Sequence, residues 1–314
     1  MKIRIFQILI IILTILILLT FIYPNKTMAS DTTKEIKTLD SNLYTALKEE
    51  INYESCDDTN YILNVKQSEL DNTRKLKLTY KEISDISILS NFTNLTSLNL
   101  QGNNIKDISA LSNLTNLTSL DLSENHIEDI TPLSGLVNLI SLNLKDDFVS
   151  YDDGNTFTDI SSLSNLTKLT TLLLGTKKDE NINIEYLSSL TSLEDLSLSH
   201  LNVSNIDSLS NLTNLEHLTL SSLNVSDIEF LSNLTNLTSL NLGCCNITDI
   251  TPLKNLTNLT YLYLAQNQIE DISPLKRLKK LKTLNIVGNP ADYTQLASLK
   301  GLRIFYLDPQ NMSN

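Results

Sequence analysis

Cysteine, histidine and positive charge are all scarce in this sequence, and each shortage argues against one class of protein. The 3 cysteines in 314 residues are too few for a disulfide framework. Nothing pairs them with the 3 histidines at metal-ligand spacing, so we expect no metal and no cofactor. Lysine and arginine number 24 against 36 acidic residues, and the net charge of −12 argues against nucleic-acid binding, which needs a positive field.

A repeat of 22 residues dominates what the sequence does contain, and it reads NFTNLTSLNLQGNNIKDISALS over residues 91–112. In the next unit the apolar positions are Ile108, Leu111, Leu114, Leu117, Leu120, Leu122 and Ile127. The units begin at Asp85, Asp107, Asp129, Asp159, Asn183, Asn205, Asp227, Asp249, Asp271 and Asp292. Self-similarity at this period is the signature of a leucine-rich-repeat solenoid, whose units bury their apolar faces only by stacking.

The pattern within one unit predicts its local structure. Each unit carries a Leu-x-Leu pair, as at Leu120 and Leu122, which indicates a short strand with one buried face. Asp-Ile-Ser/Thr-Pro-Leu at Asp129, Asp249 and Asp271 predicts a side-chain cap and a fixed backbone angle for the return segment. Because a short unit has little room for a full helix, we expect a curved parallel β-sheet on the concave face and 3₁₀ or irregular return segments.

Asparagine follows the strand in many units, where its amide can bind the backbone of the turn. It stands at Asn103, Asn125, Asn267 and Asn289. This asparagine ladder lapses in the middle of the chain, where the matching residues are Leu201, Leu223 and Cys245. Two insertions precede the lapse, one of eight residues before Asp159 and one of two residues before Asn183.

The cysteines are interpreted as structural or free thiols. Cys245 replaces a ladder asparagine, where a small and weakly polar side chain fits, and Cys244 should face outward. Cys56 lies many repeats away, beyond the Cα separation of about 7 Å that a disulfide allows. A disulfide between the adjacent Cys244 and Cys245, or thiol chemistry, is the alternative.

The amino terminus predicts export. Lys2 and Arg4 precede an apolar run over residues 5–22, Pro24 breaks it, and small residues offer cleavage after Ala29. This order is that of a secretory signal peptide over residues 1–29. The same run is long enough to serve as an uncleaved membrane anchor, since about 18 apolar residues suffice. Either way the sequence predicts a secreted protein or one on the extracellular surface.

The repeat units resemble those of the bacterial internalin family, whose repeats read LxxLxxLxLxxNxIxDIxxL. The resemblance covers residues 70–308, about ten units, and leaves residues 309–314 as a tail. It implies an exported, non-enzymatic protein whose work is binding, and host-cell adhesion belongs to that family's range. We expect this chain to lack the immunoglobulin-like module and the LPxTG-type sorting signal that the family commonly carries.

Residues 30–69 are similar to the helical cap of the same family. Asp40 opens a stretch in which Leu43, Ala46 and Leu47 follow helical spacing. We therefore expect a helical N-terminal cap that covers the first repeat.

Side chains that flank the two strand leucines should point to the concave face. Most of them are small and polar, but Tyr261 and Tyr263 share one strand, and Tyr306 continues the Tyr263 column two repeats later. Adjacent strands lie about 4.8 Å apart, so the three tyrosines would form one patch, and exposed tyrosine is a typical interface anchor. The alternative is that these aromatics merely cover the C-terminal end of the stack.

Asp195, His217 and Ser239 fall in a second column, on successive strands. Their types suggest a hydrolytic triad, but a shallow wall offers no oxyanion hole. With Glu194 and Glu216 alongside, an acidic polar contact patch is the preferred interpretation, and it makes Asp195, His217 and Glu216 further partner-binding candidates.

Two charged clusters complete the candidates. The inserted loop gathers oxygen ligands that suit Ca²⁺ without the spacing of an EF-hand, so a solvated acidic insertion is the default. Its residues are Asp146, Asp147, Asp152, Asp153 and Asn155. A basic run over residues 276–282 should be solvated surface, or it could contact an anionic envelope polymer.

The sequence thus predicts an exported bacterial leucine-rich-repeat protein that binds a protein partner, such as a host surface protein, through its concave face. An envelope-associated structural protein that binds glycan or wall polymer is the alternative. No catalytic residue, metal, cofactor or nucleic-acid partner is expected, and contact with a membrane is expected only if the N-terminal segment stays uncleaved.

Overall fold

The computed structural model describes residues 31–146, 154–176, 181–199, 201–298, 302 and 304–306. None of the helices in these residues is long and apolar enough to cross a membrane. The predicted signal peptide or anchor lies outside the described residues.

The N-terminal cap contains two helices and a small antiparallel sheet. Its elements are β1 (Thr33–Lys37), α1 (Ser41–Glu50), β2 (Ser55–Asp57), β3 (Ile62–Lys66) and α2 (Gln67–Asn72). The strands pair in the order β1-β3-β2. Leu43, Ala46 and Leu47 are buried along one face of α1, as the helical spacing predicts.

Asp40 joins this cap to the first repeat. Its carboxylate accepts the backbone N–H groups of Asn42 and Leu43 at 2.9 Å, which caps α1. The other oxygen accepts from Ser84 N–H at 2.6 Å and Asp85 N–H at 3.0 Å. Burial alone would raise the pKa of this carboxyl, but the hydrogen bonds from Ser84, Leu43 and Asp85 outweigh it and lower the pKa.

The repeats form one sheet of 11 strands that pair in chain order. Its strands are β4 (Lys75–Lys77), β5 (Ser97–Asn99), β6 (Ser119–Asp121), β7 (Ser141–Leu144), β8 (Thr171–Leu174), β10 (Asp195–Leu198), β12 (His217–Thr219), β13 (Ser239–Asn241), β14 (Tyr261–Tyr263), β15 (Thr283–Asn285) and β16 (Ile304–Tyr306). Every pair is parallel, and the central leucine of each strand pairs with that of the next, as Leu240 with Leu262, until Leu284 pairs with Phe305 of β16. The parallel solenoid that the repeat predicts is confirmed.

Short 3₁₀ segments return the chain to the next strand, as the unit length predicts. They span Ser87–Asn91, Ser109–Leu111, Thr131–Gly135, Ser161–Asn165, Ile184–Leu187, Ile206–Asn211, Glu229–Asn233, Thr251–Asn255, Ser273–Arg277 and Tyr293–Ser298. The predicted aspartate caps are present: Asp249 accepts the Thr251 backbone N–H at 2.7 Å, and Asp271 accepts that of Ser273 at 2.8 Å. Hydrogen bonds to the ionised carboxylate lower the pKa of both.

The core is a continuous stack of the repeated apolar residues. Leu111, Leu114 and Leu117 have no exposed surface at all, and neither do their equivalents in the neighbouring units. No unit could bury this set alone, so each unit depends on the next.

The asparagine ladder does what the sequence predicts. The Asn125 amide donates to the carbonyls of Leu100 at 3.0 Å and Leu122 at 3.1 Å, and its oxygen accepts the Ile105 N–H at 3.2 Å. Asn267 makes the corresponding bonds to Leu242 and Leu264 at 2.8 and 2.9 Å. Each buried turn thereby gains partners for its backbone groups.

A second asparagine ladder, which the sequence analysis missed, runs along the segment before each strand. The Asn116 amide donates to the Thr93 carbonyl at 3.0 Å, and Asn138 and Asn236 repeat this bond one unit along at 2.9 Å. Where this asparagine is present it ties its unit to the previous one; Lys168, Ser192 and Lys280 take its place in three units.

The central repeats contain a second, two-stranded parallel sheet, which was also not predicted. It joins β9 (Asn181–Asn183) to β11 (Asn202–Ser204), directly after the turn that Leu201 occupies. Leu201 and Leu223 are buried at 3% and 1% exposure, so apolar packing replaces the asparagine at these turns.

Candidate functional site

The concave face is lined by the side chains that flank the buried leucines. Two columns cross its C-terminal half in register. Residues 195, 217, 239, 261 and 283 form the first column. Residues 197, 219, 241, 263 and 285 form the second, and Tyr306 continues it. Parallel pairing without a break makes this face one continuous surface.

Tyr261 and Tyr263 lie side by side on the face, both on β14. Tyr261 is 39% exposed, whereas Tyr263 is half-buried. Their position on one strand and one face is the predicted one. The neighbouring strands β13 and β15 present smaller polar side chains at the paired positions, namely Ser239, Asn241, Thr283 and Asn285.

The Tyr263 ring packs against Gly243 of the preceding unit. A Cβ at Gly243 would lie 2.6 Å from Tyr263 Cε1 and 2.9 Å from Cδ1, far inside van der Waals contact. The ring therefore occupies the space that a side chain at 243 would take, and any larger residue there would displace it. The role of this glycine was not predicted; the signal was a glycine in the unit before Tyr263, at the position that Ser123, Ser199 and Ser221 take in other units.

Tyr306 is placed by its backbone. It belongs to β16 and pairs in register with Asn285, which in turn pairs with Tyr263. It thus stands in the predicted column, two strands beyond Tyr263. The orientation of its side chain lies outside what the structure describes.

Asp195, His217 and Ser239 also share the predicted column, on three successive strands. Asp195 and Ser239 are half-buried, and His217 is exposed. No hydrogen bond joins these three side chains, although a nucleophile triad depends on such bonds. The arrangement is suited to polar contact rather than to nucleophile activation.

Glu194 and Glu216 flank this column and make it acidic. Both are exposed, and the Glu194 carbonyl accepts the backbone N–H groups of Glu216 at 2.8 Å and His217 at 2.9 Å. At the other end of the concave face, β4 presents the exposed Lys75 and Lys77. The face therefore passes from basic at its start to acidic at its centre.

The preferred interpretation of the inserted loop as a solvated acidic insertion is wrong for Asp146 and Asn155, because both are buried. Asn155 is fully buried and occupies the ladder position, where its oxygen accepts the Ile127 N–H at 3.0 Å. Asp146 is also buried, and it accepts the N–H groups of Asn155 at 2.7 Å and Glu124 at 3.1 Å. The insertion displaces the ladder asparagine along the chain without removing it. Residues 147–153 lie outside the described part.

No group of three or more histidine, cysteine or acidic residues in the described ranges could hold a metal ion. The cysteines are free: Cys56 and Cys244 are exposed, and Cys245 is buried. The Cys245 thiol donates to the carbonyls of Leu220 at 3.0 Å and Gly243 at 3.3 Å, so it acts in the ladder as predicted. Burial raises the pKa of this thiol and keeps it neutral.

The basic run lies on the return side, as predicted, away from the concave face. Lys276 and Arg277 end a 3₁₀ segment and are exposed. The Lys280 ammonium donates to the Asn258 side-chain oxygen at 2.7 Å, at the outer edge of the second asparagine ladder.

The sequence matches a family model described as Leucine Rich repeats (2 copies) over residues 213–255 and 257–304. No curated protein matches the chain significantly. Among solved structures it is similar to an internalin (inlF) from Listeria monocytogenes, with 30% sequence identity and a TM-score of 0.63. That match covers 86% of this chain and 89% of the internalin.

Two further structures show the same fold. The functional domain of InlJ from Listeria monocytogenes has 21% identity and a TM-score of 0.66, covering 89% of this chain and 63% of that one. The ectodomain of the receptor kinase GASSHO1/SCHENGEN3 from Arabidopsis thaliana has 20% identity and a TM-score of 0.58, covering 73% of this chain and 28% of that one. A fold of this kind is suited to protein–protein interaction. On the identity and coverage of the first match, the chain belongs to the internalin family of leucine-rich-repeat proteins.

Proposed function

We propose that this chain is an exported, non-catalytic internalin that binds a protein partner through its concave face, with Tyr261, Tyr263 and Tyr306 as anchors. One observation carries the proposal: two tyrosines lie side by side on β14, where the neighbouring strands present small polar residues. The partner-binding surface would extend to Asp195, His217 and Glu216.

Physical chemistry supports tyrosine as the anchor. A tyrosine ring contributes a large apolar area with few rotatable bonds, and its hydroxyl can still bond across an interface. Tyr263 is held against Gly243 before any partner arrives, so little side-chain freedom is lost on binding. The alternative, in which the tyrosines only cover the end of the stack, would not need Tyr261 to stay 39% exposed two strands before β16.

Another protein with this fold has been solved with a bound partner. The Arabidopsis receptor ectodomain that shares it was solved in complex with CASPARIAN STRIP INTEGRITY FACTOR 2. For the present chain, the acidic centre around Glu194 and Glu216 favours a partner with basic groups next to an apolar patch.

Export rests on the sequence of residues 1–29, and a host surface protein is the partner class that this location would make available. N-terminal sequencing of the protein recovered from culture medium tests export. A mature chain that begins near Ser30 supports cleavage, and retention of the whole protein in the cell would contradict secretion.

A pull-down from host-cell surface extract and from bacterial envelope extract tests the binding role. The bait is the tagged protein beside a Tyr261→Ala/Tyr263→Ala double variant. Tyr186→Ala is the matched control, because Tyr186 is 40% exposed but lies on a return segment. Capture of one protein by the wild type and the control, but not by the double variant, supports the proposal.

Two results would contradict it. Equal capture by all three baits would show that Tyr261 and Tyr263 do not contribute to the interface. Retention of wall polymer that is abolished only by neutralising the lysines and the arginine of residues 276–282 would move the function to the envelope.

A further inference from the structure

The N-terminal cap contains a cleft that is separate from the concave face. It lies between α1 and the β2–β3 turn and has a volume of about 470 Å³. Tyr44 is buried at its floor, and Thr45, Lys48, Glu49, Tyr53, Asp58 and Tyr61 line it. We propose that this cleft is a second binding site, and that its ligand is a neutral, hydroxyl-rich saccharide.

Two aromatic side chains form open walls. Tyr53 is 38% exposed and Tyr61 is 37% exposed, whereas Leu43, Leu47 and Leu63 of the cap are fully buried. The Tyr61 ring also contacts Tyr44, with ring centroids 5.6 Å apart and the planes tilted by 55°. Half-exposed tyrosines combine an apolar face with a polar edge, which matches the apolar C–H face and the hydroxyl rim of a sugar ring.

The cleft already holds a cation of its own. The Lys48 ammonium lies 5.3 Å from the Tyr44 ring centroid and 6.0 Å from that of Tyr53. It also binds Asp58 Oδ1 at 2.7 Å. Lys48 therefore occupies the position beside the rings that would attract a quaternary ammonium or another lysine side chain, which argues against a cationic ligand.

The remaining charges of the cleft are balanced. Glu49 pairs with Lys81 at 2.8 Å, so both carboxylates of the lining have an ammonium partner. The Thr45 hydroxyl donates to the Ser41 carbonyl at 2.8 Å and keeps its lone pairs for a ligand donor. Lys81 lies outside the lining, and with it the charges of the two ion pairs cancel. Paired charges beside several donors and acceptors favour a ligand that is polar and uncharged.

The turn that carries Tyr61 is held in an unusual conformation. Tyr61 has φ +54°, in the left-handed region that a tyrosine rarely adopts. Asp57 fixes the turn by accepting the backbone N–H groups of Thr59 at 2.9 Å and Asn60 at 3.2 Å. Such conformations concentrate at ligand-binding positions, and this one sets the Tyr61 ring beside the cleft.

Titration of the full-length chain tests the site. The probes are maltotriose, the N-acetylglucosamine trimer and mannotriose as neutral sugars, sialyllactose as an acidic sugar, and choline as a cation. Calorimetry should detect at least one neutral trisaccharide, and Tyr53→Ala should weaken that binding by about fivefold or more through loss of a stacking contact. Tyr53→Leu, which keeps apolar bulk without a planar ring, should weaken it too.

Two controls separate this site from the concave face. Tyr186→Ala removes a tyrosine of equal exposure elsewhere, and Tyr261→Ala/Tyr263→Ala removes the proposed protein anchors; both should bind the sugar as the wild type does. The proposal is overturned if no neutral trisaccharide binds at concentrations up to about 10 mM, ten times the Kd of a weak site. It is equally overturned if binding survives Tyr53→Leu, or if only choline or sialyllactose binds.

Discussion

The outer repeats and the central repeats of the solenoid close the same turn in different ways. In the outer repeats a buried asparagine such as Asn125 or Asn267 bridges the carbonyls of two consecutive units. In the centre, leucine takes that position at 201 and 223, and directly after the Leu201 turn the backbone of β11 pairs with that of β9. Buried polar backbone needs a partner, but the partner can be a side chain or a neighbouring strand.

The return segments show the same contrast. In the outer repeats they are capped by ionised aspartates such as Asp107 and Asp249. In the centre, the neutral Asn183 caps its segment, and Asn205 adopts a left-handed conformation without a side-chain cap. The unit of Leu223 returns to an aspartate cap at Asp227. The sheet on the concave face runs through both regions in one register. The way in which the turns are stabilised therefore does not alter the strand pairing of the concave face.

The largest expected effect comes from placing the central residue in the outer ladder. Asn125→Leu leaves the N–H of Ile105 buried without its acceptor. It also removes one donor each from the carbonyls of Leu100 and Leu122, which keep only their bonds from Asn103 and Asn155. We expect the free energy of unfolding to fall by about 3 kcal/mol or more. Urea denaturation measures it. Leu223→Met is the control and should cost less than about 1.5 kcal/mol; equal losses would show that the ladder bonds contribute little.

A smaller effect is expected from the neutral cap. Asn183→Ala removes the acceptor of the Glu185 N–H at 3.0 Å and of the Asn205 amide at 2.8 Å. The loss should be about 1 kcal/mol, as for other N-caps. Denaturation of this variant beside Asn183→Asp, which keeps the acceptor, is the measurement. If Asn183→Asp costs as much as Asn183→Ala, the bond to Glu185 is not what stabilises the segment.

Lowering the pH should weaken the aspartate caps of the outer repeats but not the asparagine cap of the centre. Hydrogen bonds from Ser109 lower the pKa of Asp107, and those from Thr251 lower the pKa of Asp249. A carboxyl group whose pKa is lower in the folded state stabilises the fold at pH values above its unfolded pKa of about 3.9. This stabilisation is lost as the pH falls through the folded-state pKa. Below about pH 4, the protection of the Ser109 and Thr251 amides relative to the intrinsic exchange rate should therefore fall.

The central cap provides the internal comparison for that experiment. Asn183 does not titrate, so the Glu185 amide should keep its protection relative to global unfolding over the same pH range. Equal loss of protection at all three amides would contradict the contrast between aspartate and asparagine caps.

The smallest effect is expected where the two regions meet. Cys245 already occupies the ladder position and donates to Leu220 and Gly243. Cys245→Asn would extend the ladder by one unit, and stability should change by no more than about 1 kcal/mol, because the same carbonyls receive an amide donor. Thermal unfolding measures this change. A large loss would mean that the turn has no room for an amide.

Much of the fold was predictable because a strict repeat ties each residue type to one structural role. Positions such as Leu120 and Leu122 predict the buried face of a strand, and Asp271 predicts a cap, without any knowledge of distant contacts. Asn155 was missed because the insertion moves it out of the repeat register, and only its buried bond to Ile127 reveals its role. The cap strands β1–β3 were missed because they are short and lie outside the repeat.

The candidate site was predictable to the level of strand and face. The period of two places Tyr261 and Tyr263 together, and the unit length places Tyr306 in the same column. The repeat period does not predict contacts between side chains of neighbouring units. The packing of Tyr263 against Gly243 was therefore found only in the structure. The cleft around Tyr53 and Tyr61 likewise depends on how the cap strands fold over α1.

The affinity of the captured partner for four forms of the protein tests the central claim most directly. These are the wild type, Tyr263→Ala, Gly243→Ala, whose new Cβ would displace the Tyr263 ring, and Gly135→Ala, whose Cβ would meet only an ordinary contact at 3.6 Å. With melting temperatures unchanged, binding should weaken by more than about 1 kcal/mol for the first two variants and stay constant for the third. Unchanged affinity in Tyr263→Ala would contradict the claim that this face binds through its tyrosines.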